Sequence, residues 1–599
     1  SAISQVDAPS PTEVLDSMQL QEVNGSTIAD ALELSTGVLM KQYGAGASLK
    51  TASLRGSASE HVLILIDGNR YTGFQNGLVD LNLLPLDNVS RIEVLHGGAS
   101  ALYGADALGG VINIITRPAN SDFHVDADGS AGSYDYRRYS TRLQGGVEGF
   151  GIAGGFSHER GQDNYPFILH RSNAADTGMV RTGADFSKEE MFINGNLAPD
   201  DQSAVSLSTQ SILSSVGTPG PIFSPGDGIP ARQDDRDINV MLGYRDQHVA
   251  GMQAELNSGF HYSLERYASP GYDTYYKNRY FNVDPSTQIA LTSNDRLMIG
   301  GEFAYGVLES FDFGDEVLRR QYSMFISNEF VQDFGREVFD RLSLYQTLRF
   351  DDFSDAGSAW TPKLGLNFRV TRAGDVRFRA SYGTSYRVPT FNDLYYPGFS
   401  NPALRPEHSR SFDVGLLAGG SLYGVHSAEL TYFSINTTDR IQLDPATYIP
   451  VNIGKTVSQG IESSYNGRMF NGLLEIVLNY TYTDTRKKNS SLPGDSTYNR
   501  HLVFSPQNLF KGMLTVHFGP VTLSLWEVFT GLRYINDDNS KSLPAYWLGN
   551  ATLAARTKMG EWRITVKGDI SNLFDVNYLW FPGYPMPGRT FRVSIGVDY

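Results

Sequence analysis

The side chains able to do chemistry are spread through this 599-residue sequence without the spacing that catalysis requires. Its 11 histidines show no metal-ligand spacing. There are no cysteines, which removes disulfides, cysteine-ligated zinc and thiol catalysis. No serine–histidine–aspartate order, phosphate-cradling loop or carboxylate pair stands out, so no enzyme activity is expected. Three other constellations carry possible function. Asp163, Asp176, Asp234, Asp235 and Asp237 fall in two polar stretches and offer hard oxygen donors of the kind calcium takes. They follow no fixed ligand spacing, so ordinary solvated loop charge is the competing reading. Two short stretches mix glycine with aromatics and amides: Gln42-Tyr43-Gly44-Ala45-Gly46-Ala47-Ser48 and Tyr71-Thr72-Gly73-Phe74-Gln75-Asn76-Gly77-Leu78. Exposed backbone groups beside flat apolar faces suit a large, amide-rich, near-neutral ligand. Arg55, Arg91 and Glu93 are charges set in otherwise apolar surroundings.

Two kinds of element must position these groups. Residues 1–120 read as a small mixed α+β unit. Thr27 with Asp30 makes a capping-box helix start, with Ile28, Ala31, Leu32 and Ser35 near one face and Gly37 as a stop. Asp67-Gly68 signals a tight hairpin, because a type I′ turn needs positive φ at both central residues. Ala99 to Tyr103 reads as a helical turn closed by Gly104, and Val111 to Thr116 as a strand. From residue 121 to 599 strands dominate with no linker. Leu474, Ile476, Leu478, Tyr480 and Tyr482 alternate with mostly polar residues. The terminal Phe591-Arg592-Val593-Ser594-Ile595-Gly596-Val597-Asp598-Tyr599 does the same.

No run approaches the length of a spanning helix, the longest apolar run being Val62 to Ile66. Mean hydropathy is slightly negative, which a membrane barrel also shows, since only alternate residues face lipid. A sheet in lipid must close. About 480 residues at about 22 strands leaves about 22 residues per strand and connection, the size of barrel that holds a plug. The expected fold is therefore an all-β membrane barrel of about 22 antiparallel strands with the N-terminal α+β unit inside its lumen. Polar stretches at Gly161 to Lys188, Ser214 to Asp237 and Pro389 to Glu407 are the expected outer loops. A net charge of −16 argues against a nucleic-acid partner.

The motifs that carry a resemblance are, in order, Leu54-Arg55-Gly56, Leu65-Ile66-Asp67-Gly68, Arg91-Ile92-Glu93-Val94, Ser100-Ala101-Leu102-Tyr103-Gly104 and Gly109-Gly110-Val111-Ile112-Asn113-Ile114. The later region adds Ser385-Tyr386-Arg387-Val388-Pro389-Thr390, Asn401-Pro402-Ala403-Leu404-Arg405-Pro406-Glu407, Gly460-Ile461-Glu462 and Asp569-Ile570-Ser571-Asn572-Leu573-Phe574-Asp575. Over its whole length the chain resembles the TonB-dependent outer-membrane transporters. Ser59 to Arg70 and Gly583-Tyr584-Pro585-Met586-Pro587-Gly588-Arg589 lean toward the cobalamin (vitamin B12) branch.

This resemblance implies active import of a corrinoid across a bacterial outer membrane, driven through the TonB energy-coupling protein, with lipid around the barrel. A surface lipoprotein partner is compatible with it. It places the two glycine–aromatic stretches at the plug apex, with Tyr43, Tyr71, Phe74, Gln75 and Asn76 as substrate contacts. It assigns Arg55, Arg91 and Glu93 to plug–barrel latching, and calcium to the five loop aspartates, as in cobalamin transporters. The segment that pairs with TonB and the export leader are both expected to be absent from this chain, which begins at Ser1. Two alternatives stand beside this reading. One is a ferric-siderophore receptor, or a haem receptor, although residues 386–404 hold no histidine. The other is a non-transporting surface receptor or adhesin, against which the plug argues.

Overall fold

The last strand shows why the wall closes. In the computed structural model, which describes residues 10–23, 25–71, 73–169, 175–444, 447–489 and 495–599, Thr590–Asp598 pairs antiparallel with Trp562–Ser571 on one side and His124–Gly132 on the other. The first and last wall strands thus seal the sheet. Phe591, Val593 and Ile595 are exposed on its outer face, while Arg592 turns inward to Asp569 at 3.3 Å. The same alternation runs around a closed antiparallel barrel of 22 strands among the described residues. Strand termini join through short turns at one end, such as 201–202, 470–473 and 519–520. At the other end the connections are longer, including 162–185, 218–231 and 388–406. Barrels of this kind keep short turns on the periplasmic side and long loops outside.

Inside the barrel, the sheet order is Thr12–Leu15, Val89–His96, Gly110–Thr116, Val62–Ile66, Asn69–Arg70. Val62–Ile66 is apolar at every position because both its faces are covered. Val62, Ile64 and Ile66 join the main plug core, and Leu63 and Leu65 pack on the other side against Ala99, Ala107 and Val111. Asp67 and Gly68 both take positive φ, 49° and 81°, between paired Ile66 and Asn69. Thr27 caps the helix Ile28–Leu32 with Asp30 completing the box. The last plug strand ends at Thr116 and the first wall strand begins at His124.

Charge holds the plug to the wall: one group of pairs gathers around Arg55, and Arg138 of the wall strand Tyr136–Val147 pairs with Asp87 of the plug elsewhere. Arg55, fully buried at a φ of 52°, ion-pairs with Asp413 and, at 2.7 Å, with Glu462. His96 reaches Glu462 at 3.3 Å, and His61 reaches Glu407 at 2.9 Å. Four wall lysines donate to plug carbonyls: Lys188 to Asn82 at 3.1 Å, Lys363 to Gly98 at 2.9 Å, Lys511 to Ser35 at 2.7 Å and Lys567 to Val23 at 2.6 Å. Arg91 and Glu93 correct the expectation of a three-residue latch. They bond each other at 2.8 Å within one plug strand, and Glu93 also accepts from Asn113 at 3.1 Å. Two residues apart on a strand, they share one face, which brings them within reach of each other.

Candidate functional site

A cavity of about 440 Å³ lies between the plug apex and the outer part of the wall. Both glycine–aromatic stretches contribute to it. Tyr43 stands at one edge, stacked on Phe581 at 4.3 Å and edge-on to Tyr584 at 5.8 Å. Tyr71 lies at another, stacked on His261 at 4.4 Å. His261 Nε2 meets Asp237 at 3.0 Å. Gln75 and Asn76 also line it, and Gln75 accepts from Asn278 at 2.9 Å. Tyr165, Tyr267 and Tyr584 complete an aromatic rim. Tyr165 is fixed there because its hydroxyl donates to the Pro585 carbonyl at 2.8 Å. The segment around Gly583 to Met586 is thereby folded against the plug, with Met586 buried beside Leu39, Trp580 and Phe581.

The fifth expected contact, Phe74, is elsewhere. It is buried against Tyr280 and Phe391, with the Arg319 guanidinium 5.0 Å above its ring. The connection 388–406, expected as an outer loop, turns inward here through the short helix Phe391–Tyr395. Its Phe391 and Asn392 amides donate to the Phe74 and Gln75 carbonyls at 2.8 and 2.9 Å. A phenyl ring packed against Phe391 and Tyr280 is better buried than exposed to a polar cavity, so Phe74 anchors the apex and does not line the cavity. Thr72, between Tyr71 and Gly73, lies outside the described residues.

The five aspartates do not form one set. Asp234, Asp235 and Asp237 are on the strand Arg232–Asp246, not in a loop, because Ser203–Gly217 pairs with it up to Arg232. Alternation then sends Asp235 and Asp237 into the cavity and leaves Asp234 exposed on the outside. Asp163 faces a separate space next to Gly46, and Asp176 is exposed. Asp163 has an oxygen buried without a hydrogen-bond partner, and burial pushes its carboxyl up to about 7.

The wall adds residues that spacing alone did not single out. His261, Ser263, Glu265 and Tyr267 all line the cavity, and they alternate along one strand. That period of two was the available signal. Glu265 sits directly across from Asp235. Asp80 is a plug carboxylate at the cavity floor. It accepts the Lys50 and Asn82 amides at 3.0 and 2.9 Å, and burial still pushes it up to about 7. Among the described residues, Arg181 is the one arginine or lysine lining the cavity, which it shares with Asp80, Asp235, Asp237 and Glu265. Its Nη2 donates to the Gly220 carbonyl at 2.7 Å, and its Nη1 is buried without a partner. The cavity therefore offers aromatic faces, amides, carboxylate acceptors and one spare guanidinium donor. That combination suits ligand binding.

The profile described as "TonB dependent receptor-like, beta-barrel" matches residues 96–573, and the "TonB-dependent Receptor Plug Domain" matches residues 4–111. The chain belongs to the TonB-dependent receptor family. Its work is TonB-dependent transport at the bacterial outer membrane, with a nutrient ligand and TonB as the family's partners. Among curated relatives, this receptor is 25% identical to the Vitamin B12 transporter BtuB of Photobacterium profundum, over 98% of this chain and 92% of that protein. It is 24% identical to the protein of the same name from Vibrio cholerae, over the same shares. Among solved structures, the siderophore receptor PiuA of Acinetobacter baumannii superposes with a TM-score of 0.80 at 17% identity, covering 100% and 99% of the two chains. A point mutant of the ferric enterobactin receptor PfeA of Pseudomonas aeruginosa gives 0.80 at 18%, covering 99% of each. At these identities the solved structures establish the receptor's fold and leave its ligand open.

Proposed function

We propose that this receptor imports a corrinoid, captured in the cavity between the plug apex and the wall. The observation that carries the reading is the cavity's lining: five tyrosines and several amides, with one arginine and no lysine among the described residues. A ferric siderophore is often anionic and would meet only one cationic side chain there, Arg181, which costs affinity. A neutral or cationic corrinoid meets no such penalty. Its amide side groups would find acceptors in Asp235 and Asp237 and a donor in Arg181 Nη1, and its flat macrocycle would find the Tyr43 and Tyr71 rings. The full-length likeness to the vitamin B12 transporters supports the same reading. Calcium belongs to the proposal as an aid to binding, held by cavity or loop carboxylates, and a surface lipoprotein over the loops is part of it too.

Titration of purified receptor with cyanocobalamin, ferric enterobactin, ferric citrate and haem, each with calcium and with chelator, tests this. Saturable binding of cyanocobalamin alone is expected, weakened by Tyr43→Ala and Tyr71→Ala. Saturable binding of a ferric siderophore without cyanocobalamin binding overturns it. Cyanocobalamin binding that ignores calcium removes only the metal.

A further inference from the structure

At the periplasmic end, opposite the cavity, Glu22, Glu475 and His517 converge. Among the described residues they are the one group of three carboxylate or imidazole donors whose ligand atoms all lie within 4.8 Å of one another. Each comes from a different element. Glu22 ends the plug helix Ser17–Glu22. Glu475 begins the wall strand Leu474–Lys487, just after the turn 470–473. His517 closes the neighbouring strand Asn508–Phe518, just before the turn 519–520. Both strand ends belong to the short-turn rim, so the cluster faces the periplasm. All three side chains are partly covered, at 12%, 23% and 24% exposure.

The spacing decides what the cluster suits. His517 Nε2 stands 3.7 Å from Glu475 Oε1 and 4.0 Å from Glu22 Oε1. These gaps are too long for hydrogen bonds, and Nε2 is buried with no hydrogen-bond partner. Ligand atoms about 2.0–2.2 Å from a tetrahedral zinc ion sit about 3.4 Å apart, so closing by a few tenths of an ångström would complete a coordination edge. The other ring nitrogen is already held. His517 Nδ1 lies 3.2 Å from Thr522 Oγ1. In the tautomer where Nδ1–H donates to that hydroxyl, Nε2 presents its lone pair to the carboxylates, as an outer-shell partner of a metal-bound histidine arranges. Arg468 meets the same Glu475 oxygen at 2.9 Å from a largely exposed position, and Arg556 reaches Thr522 at 3.4 Å.

We propose that Glu22, Glu475 and His517 form a divalent-cation site, preferring zinc, that ties the first plug helix to the barrel rim. One imidazole and two carboxylates make a zinc-type set with a fourth position for water. Bound cation would link plug to wall where no other ion pair holds that helix among the described residues, so it would stiffen the plug's periplasmic entry without touching the outer cavity.

Untagged receptor in detergent, stripped by chelator, is titrated with zinc against a chromophoric competitor and with cobalt as a spectroscopic probe. One equivalent of zinc is expected, with a four-coordinate cobalt spectrum and a raised melting temperature. His517→Ala should remove all three signals, and Glu22→Gln should weaken zinc at least tenfold while leaving cyanocobalamin binding intact. Thr522→Val should weaken it about tenfold through the lost orienting contact. His517→Gln, which keeps a polar reach to Thr522, controls for folding through its metal-free melting curve. Zinc binding unchanged in His517→Ala, or no stoichiometric zinc at all, overturns the site and leaves an ordinary ion pair.

Discussion

Asp80 shows how one plug residue couples the cavity to pH. Its carboxyl is pushed from 3.8 to about 7 by burial, which outweighs the two amides it accepts. Below about pH 4 the group is protonated in folded and unfolded chains alike and contributes nothing. As pH rises from there, the unfolded chain loses its proton first, so folding is penalised increasingly until about pH 7 and constantly above it. Asp80→Asn keeps an oxygen for both amides and carries no charge. It should melt close to the parent at pH 4 and clearly above it at pH 8, and a melting difference that shrinks as pH rises would contradict the assignment. Arg55 makes the opposite case. Removing it strands Asp413 and Glu462, both buried, without their main partner. Arg55→Ala should cost about 3–5 kcal/mol of plug docking, read as a lower first transition in calorimetry. Arg91→Ala, whose partner Glu93 is within the same strand, should move that transition far less.

At the scale of elements, period two was the most legible feature of the sequence. It marked the wall and the lipid face, because side-chain direction on a strand follows from position alone; the strand number came from the length of the β region and the barrel size that holds a plug. The turn chemistry of Asp67-Gly68 and the cap at Thr27 were legible for the same local reason. What spacing did not yield was any fact set by pairing between distant segments. Asp234 looked like part of a loop cluster because Gly and Pro crowd residues 217–228. Its strand extends past the turn signals, since Arg232 pairs back to Gly217. Phe74 looked like an apical contact until a helix far along the chain, beginning at Phe391, covered it, a meeting no local pattern contains. Asp80, Glu265 and Arg181 were missed because each is an isolated polar residue that only closure of the barrel brings to one cavity. The lipid-face reading makes a direct prediction on the last strand. Ile595 is 54% exposed outward, so Ile595→Arg should cost about 2–4 kcal/mol if it lies near the bilayer midplane. Ser594→Arg, facing inward, should be milder in folding yield into vesicles. Equal yields would refute the assignment.

For the whole molecule, the decisive fact is that a filled lumen passes nothing unless the plug moves against the wall. The attachments are uneven. Buried ion pairs to Glu407, Asp413 and Glu462 fix the plug on one side. On another side, strands around His124–Gly132 and Thr590–Asp598 face it across a space of about 240 Å³ lined by Lys50, Asp163 and Arg592, with the Arg138–Asp87 pair on the neighbouring strand. The two sides predict which contact passage must break. A Cβ built on Gly98 in the plug would lie 3.4 Å from the Cβ of Ser411 on the wall, close to the separation a disulfide spans. The chain has no cysteine of its own, so Gly98→Cys with Ser411→Cys would carry a single bond at the clamped side. Gly46→Cys with Asp163→Cys would place one at the open side, where a Cβ on Gly46 would overlap the Asp163 carboxylate. If the plug pivots about the side of Asp413 and Glu462, oxidised Gly98–Ser411 receptor should still take up substrate. The oxidised Gly46–Asp163 receptor should then bind substrate and fail to pass it until reductant is added. The reverse pattern would put the opening at the ion pairs, and a block by both bonds would mean that the plug must leave the wall as one body.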